Sequence, residues 1–181
     1  MTIEEDGMIG RPAASEHDEY FGRYIGLVAE GDILEILEGE RAKTQELLSG
    51  LTEEKSTYRY AEGKWSIREV IGHLIDSERM FQYRALCFAR RDPAHMPSFE
   101  ENDYAMESNA HQRPLAELSE EFDLVRRSTI SLFKGFDEEM TTRSGKASVF
   151  EFSVRSLAYI LAGHEVHHRG VVVERYLVGG R

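Results

Sequence analysis

The chain has 181 residues, with 22 basic and 33 acidic side chains and a formal net charge of −11. That length suits one domain around one hydrophobic core, and 41% hydrophobic with 30% charged residues excludes a disordered chain. The acid excess, without a basic stripe, argues against a nucleic-acid surface or an anionic membrane as partner.

No apolar run reaches the ~20 residues needed to span a bilayer. The stretch from Met1 to Asp18 lacks the charged-then-apolar order of a secretory signal. Cys87 is the single cysteine, so no intrachain disulfide can form and any metal must be held by histidine and carboxylate. A cytoplasmic location is the expectation.

Residues 1–22 read as a mostly irregular arm, with residues 23–181 as the domain proper. The apolar residues Tyr20, Phe21 and Tyr24 to Val28 are placed to tack the arm onto the core. The first predicted helix, about 32–49, opens at Asp32 as N-cap and stops at Gly50. The second, about 66–90, starts with the capping box Ser66-Ile67-Arg68-Glu69, with Trp65 set to staple onto Val70. Arg91-Asp92-Pro93 ends it.

The connection from 91 to 112 is long for a compact domain, which points to function or to a short helix within it. It is also long enough to run the height of a bundle, leaving room for its flanking helices to lie parallel. The third helix, about 113–135, carries Pro114 at its first position and closes at Gly135. Its apolar residues Leu115, Leu118, Phe122, Val125, Leu132 and Phe136 keep the 3-4 spacing of a bundle seam. The fourth, about 153–178, starts at Ser153 and is stopped by Gly179-Gly180. Four amphipathic helices without strand alternation predict an all-α four-helix bundle.

The chemistry concentrates in the fourth helix. At about 100° per residue, His168 lies about 40° from His164, between Leu157 and Leu161 on the core face. His167 falls on one shoulder of that stripe and Glu165 on the other. A buried imidazole pair must satisfy four ring nitrogens, and two protonated rings would repel. A divalent cation binding neutral rings at i and i+4 resolves both problems. His73 on the second helix, just off its apolar stripe, is the best candidate for a third ligand. His17, His95 and His111 fall in irregular segments and are expected in solvent.

His164-Glu165-Val166-His167-His168 also matches the H-E-x-x-H zincin pattern. The metzincin continuation is absent, because Val171 and Glu174 stand where glycine and histidine would be required. A di-iron bundle needs Glu-x-x-His on two helices, and Glu69 and His73 are one residue too far apart. What survives is a mononuclear three-histidine site with an open coordination position.

Two stretches, Lys64-Trp65-Ser66-Ile67-Arg68-Glu69-Val70-Ile71-Gly72-His73-Leu74 and Ala162-Gly163-His164-Glu165-Val166-His167-His168-Arg169-Gly170, resemble the DinB-like (YfiT-like) metal-binding proteins. The likeness extends over roughly residues 24–178. It implies a four-helix bundle of up-down-down-up topology, often a homodimer, with zinc or nickel held by His73, His164 and His168. It further implies a small-molecule substrate, with relatives that include thiol transferases using bacillithiol-type cosubstrates, isomerases and hydrolases. Fold and metal do not choose among these.

A neutral three-histidine site leaves its ion the full double charge, which activates a water or thiol against a small electrophile. Glu78 lies inside the apolar stripe of the second helix, where an ionised carboxylate needs a partner. It is a candidate to orient a ligand histidine or act as base, with an ion pair in the core as the competing reading; His167, a neighbour of the site, is a second candidate for the same supporting or base role. Arg84 is a candidate for a thiol cosubstrate's carboxylates, with Arg169 and Arg175 as further possibilities. The alternative is a non-catalytic metal-binding or dimeric interaction protein, which a fourth ligand from Asp103, His95 or His111 would favour.

Overall fold

A computed structural model describes residues 8–94 and 96–178. Helices α1 (Glu19–Ile25), α2 (Ile33–Ser49), α3 (Glu53–Ser56) and α4 (Ile67–Ala89) are followed by α5 (Glu101–Glu107) and α6 (Leu115–Lys134). Helix α7 (Glu138–Thr142), strands β1 (Ser144–Ala147) and β2 (Phe150–Ser153), and α8 (Val154–Val171) complete the order. Over Val172–Val178 the winding of α8 widens into a π-helix. No described helix is long and apolar enough to cross a membrane.

The bundle proper is α2, α4, α6 and α8. Cross-helix pairs set their directions. Glu78 pairs with Arg126 and Gln82 with Ser128, so α4 and α6 run the same way. Gln45 meets Ser119 while Leu37 meets Arg126, so α2 opposes α6. Trp65 meets Tyr176 while His73 meets His164, so α8 opposes α4.

The helix starts follow local chemistry. Asp32 accepts from the Leu34 and Glu35 amides, and Ser66 with Glu69 forms the reciprocal capping box of α4. Pro114 differs from expectation: it is the N-cap of α6, and the carboxylate of Glu53 takes the Leu115 N–H at 3.0 Å. A side chain from α3 thus does the capping that proline cannot. The stop proposed at Gly179-Gly180 lies outside the described residues.

Two elements correct the sequence reading. The arm reaches the domain through α1, which Asp18 caps and which crosses the proposed boundary at 22. Helix α1 lies directly on α8: a Cβ at Gly163 would stand 1.9 Å from the Tyr24 carbonyl oxygen. Arg11 donates to the Ile25 and Val28 carbonyls, and Arg155 holds Glu16 through two hydrogen bonds, so the arm is anchored at several points. The second correction is the β1–β2 hairpin, where strands were not expected. Its strands are four residues each, too short to show a two-residue rhythm, and Ser148 takes φ of 56° at the turn.

The core divides in two. Ile33, Leu37, Phe81, Phe88, Phe133, Leu157 and Ile160 pack at one end with Phe21 and Phe152. Leu48, Ile67, Val70, Leu74, Leu118, Phe122, Val172 and Tyr176 pack at the other. Between these apolar clusters every long helix contributes buried polar residues: Thr44, His73, Ser77, Glu78, Arg126, Thr129, His164 and Glu165. That polar layer holds the site.

Candidate metal centre

Helix α4 places His73 and α8 places His164 and His168 at the same height. His73 and His164 are buried and His168 is half-buried. The ring centroids stand 4.9 Å apart for His73 and His164, 4.8 Å for His73 and His168, and 4.5 Å for His164 and His168. One nitrogen from each ring lies within 4.8 Å of the other two. The Nε2 atoms of His73 and His164 are 3.1 Å apart. Two nitrogens bound at ~2.0–2.1 Å to a tetrahedral ion stand roughly 3.3 Å from each other, so the donor set fits a zinc-sized cation.

The surroundings favour neutral imidazoles. Burial pushes His73 down to about 4 and, aided by neighbouring rings, His168 to about 3. His164 is driven well below the ordinary histidine range by burial and by the other histidines. Neutral rings present lone pairs to a cation without first losing a proton. The indole of Trp65 lies 4.9 Å from His73, and Tyr24 meets His164 edge to face at 5.2 Å. Ser77 Oγ lies 3.4 Å from His73 Nδ1, the nitrogen turned away from the cluster. A polar partner there would fix which nitrogen faces a bound cation.

A cavity of about 150 Å³ opens onto His73 and His164. Its walls include Tyr24 and Phe21 from α1, Ser77, Phe81 and Arg84 from α4, Phe99 before α5, and Phe150 from the hairpin. The arm and the hairpin, neither foreseen as ordered structure, therefore shape the access to the histidines.

Below the cluster lies a charge triad. Arg126 of α6 donates from Nε and Nη2 to the two oxygens of Glu78, at 2.6 and 2.7 Å, and from Nη1 to Glu165. Thr44 donates to the other Glu165 oxygen at 2.5 Å. All three charged groups are buried. The Arg126 guanidinium is held above its ordinary value: burial alone would lower it, but the two carboxylates outweigh that. Arg126 serves both carboxylates, with Arg169 a second and more distant cation 3.8 Å from Glu165, and burial pushes Glu165 up.

These contacts correct one expectation and agree with setting the zincin pattern aside. Glu78 was a candidate to orient a histidine or act as base, but its hydrogen bonds go to Arg126, as an ion pair. Glu165, the would-be base of H-E-x-x-H, is turned away from the cluster and occupied by Arg126 and Thr44. His167 packs beside His168 and on Tyr24, outside the three-nitrogen cluster. Arg169 ties α8 to Glu40 and Thr44 of α2, and Arg175 is exposed. Arg84 lines the cavity, as a ligand-binding role requires. Asp103 and His111 are exposed and do not join the cluster, and His95 lies outside the described residues.

The residue that sequence reasoning missed is Arg126. It falls four positions after Phe122 on the seam of α6, a charged residue within an apolar stripe and the same signal that drew attention to Glu78.

Comparison with known proteins agrees with this architecture. The family described as the DinB superfamily matches residues 36–172. A protein of Oceanobacillus iheyensis named "Putative metal-dependent hydrolase" is 28% identical over 125 residues, 68% of this chain and 71% of that protein. Among solved structures, YfiT of Bacillus subtilis, described as a probable metal-dependent hydrolase with an unusual four-helix bundle topology, superposes with a TM-score of 0.72. That match has 16% identity and covers 94% of both chains. The DinB-like protein YjoA of the same organism matches with a TM-score of 0.59 and 19% identity, covering 83% of this chain and 93% of that one.

Proposed function

The chain belongs to the DinB superfamily, and on that premise we propose that it is a metal-dependent enzyme acting on a small molecule. His73, His164 and His168 hold one divalent ion, zinc or nickel, with a coordination position left open. The observation that carries this reading is the convergence of three imidazole nitrogens within 4.8 Å, two of them on rings that line a cavity, with no carboxylate joining them among the described residues. Structural zinc sites close four protein ligands, whereas catalytic sites keep three and leave a place for water or substrate.

An ion bound by three neutral ligands keeps its full charge and brings the pKa of a coordinated water or thiol toward neutrality. The protein's own part is positional. Ser77 sets the face of His73, Trp65 and Tyr24 wall the rings, and Phe81, Phe99 and Phe150 hold an electrophile against the open side while excluding bulk water. Hydrolysis of a small electrophile is the first reading, because the relatives named above carry that description. Transfer to a low-molecular-weight thiol of the bacillithiol type is the second. The aromatic walls favour it, since they accommodate an organic cosubstrate more readily than water. A cytoplasmic homodimer is the setting in which we place this activity.

The test is turnover by zinc- and nickel-loaded protein on two panels: small esters and amides, and electrophiles offered with a low-molecular-weight thiol. Activity on either panel, lost on chelation and in His168→Ala, is the expected result. One stoichiometric ion with no turnover on both panels, or a crystal structure showing a fourth protein ligand, would overturn the catalytic reading.

A further inference from the structure

Arg84 is the only charged residue of α4 that is buried without an oppositely charged partner among the described residues. Glu69 and Glu78 are both paired. Arg84 has a relative exposure of 5%. Its Nη2 donates to the Pro97 carbonyl at 2.9 Å, while its buried Nε has no partner. The rings of Phe81 and Phe99 flank the guanidinium at 5.5 and 5.9 Å. Burial lowers its pKa, though an arginine remains charged at any physiological pH.

A charge taken out of water without a counter-ion is costly, and proteins keep such groups where a ligand supplies the counter-charge. The placement fits that role. Arg84 follows His73 by eleven residues, about 20° away on the helix face and about 16 Å along the axis. Long side chains on a helix lean toward its N-terminus, which on α4 is the direction of the histidines. Arg84 lines the same cavity as His73 and His164. The cavity also carries Glu101, which is exposed, whereas Arg84 is buried among its aromatic walls.

We propose that Arg84 is a specificity residue that binds a carboxylate on the molecule entering the cavity, so that the true substrate or cosubstrate is an organic anion whose reactive end reaches the histidines. This deepens the metal-enzyme reading and rests on it for the reactive end, while the anion subsite itself stands without the ion. A neutral guanidinium neighbour such as an amide could accept one hydrogen bond, but a carboxylate offers the paired geometry and charge that arginine selects.

The test compares binding of hexanoate and hexanamide by calorimetry, in metal-loaded and metal-free protein. Both forms are expected to prefer hexanoate about tenfold or more, the gain of a charge-assisted contact over a neutral one. Arg84→Met should erase the preference in the metal-free form, while metal-loaded Arg84→Met still carries one ion per chain. Arg84→Lys should keep part of the preference. Without ligand, Arg84→Met should melt no lower than wild type, because it removes an unpaired buried charge and keeps the apolar stem. A preference that survives Arg84→Met, or is absent from metal-free wild type, would overturn the proposal. So would a sharply lowered melting temperature in Arg84→Met, which would make Arg84 structural. Loss of metal binding in wild type would sink the metal reading and leave the anion subsite standing.

Discussion

His73 and His164 lie 91 residues apart in the chain and bring their Nε2 atoms to 3.1 Å across the α4–α8 interface. Neither helix could hold an ion alone: α8 supplies two rings one turn apart, and α4 supplies the third from the opposite wall. Protein purified without a histidine tag is expected to carry one divalent ion per chain by elemental analysis. His73→Ala and His168→Ala should each weaken binding more than about 100-fold, since even the outer partners of metal ligands are worth 10–100-fold. Chelation should lower the melting temperature by roughly 10 °C, because an ion present at a thousand times its Kd stabilises by about 4 kcal/mol. Equal melting with and without chelator would count against an ion bridging α4 and α8.

The triad of Glu78, Arg126 and Glu165 predicts a strong asymmetry. Arg126→Met leaves buried Glu78 without a counter-charge and Glu165 with only the more distant Arg169, 3.8 Å away, and should destabilise by about 3–5 kcal/mol in urea unfolding. Adding Glu78→Met and Glu165→Met to that variant should recover most of the loss, as well-packed hydrophobic groups of similar volume often replace buried ion pairs at little cost. A cost below about 1 kcal/mol for Arg126→Met would show that the triad does not hold the layer together.

Two glycines should respond with opposite signs. Gly163→Ala drives a methyl group into the Tyr24 carbonyl oxygen, with 1.9 Å available. Helix α1 must move, at about 1–3 kcal/mol as for an overpacked core. Proteolysis of the N-terminal arm should quicken in the same variant. Gly39→Ala, in α2 with nothing within 4 Å, should instead stabilise by about 0.5–1 kcal/mol through helix propensity. Thermal melts of the two variants side by side check both signs.

Acid should remove one anchor of the arm. The hydrogen-bonded Arg155 guanidinium holds Glu16 down to about 2, against an ordinary value of 4.5. A carboxylate whose folded pKa is depressed stabilises the fold fully above the unfolded value and loses that contribution as pH falls through the folded one. The Glu16–Arg155 contribution is therefore present above about pH 4.5 and gone near pH 2. Solvent screening limits it to about 1 kcal/mol. Glu16→Gln should melt lower than wild type at pH 6 and indistinguishably from it at pH 2; a gap of equal size at both would refute the ion pair's role.

The parts legible in sequence are those that short-range physics decides. Asp32, Ser66 with Glu69, and Ser153 announce helix starts because a capping bond spans only two or three residues. His164 and His168 could be placed on one face from helical period alone. His73 was a weaker inference, since its angle sits off the apolar stripe and only the docking of α8 on α4 turns that shoulder inward.

Tertiary packing decided the rest. A buried charge must find a partner, but which one depends on helices brought together from distant parts of the chain. Glu78 met Arg126 rather than a histidine, and Arg84 met no carboxylate at all among the described residues. The same holds for α1 and the β1–β2 hairpin: segments of seven and four residues carry too little periodicity to announce themselves, and they are ordered by the core they cover. Helix ends and faces are thus written locally, whereas charge pairing and cavity walls exist only once separate segments share one interior.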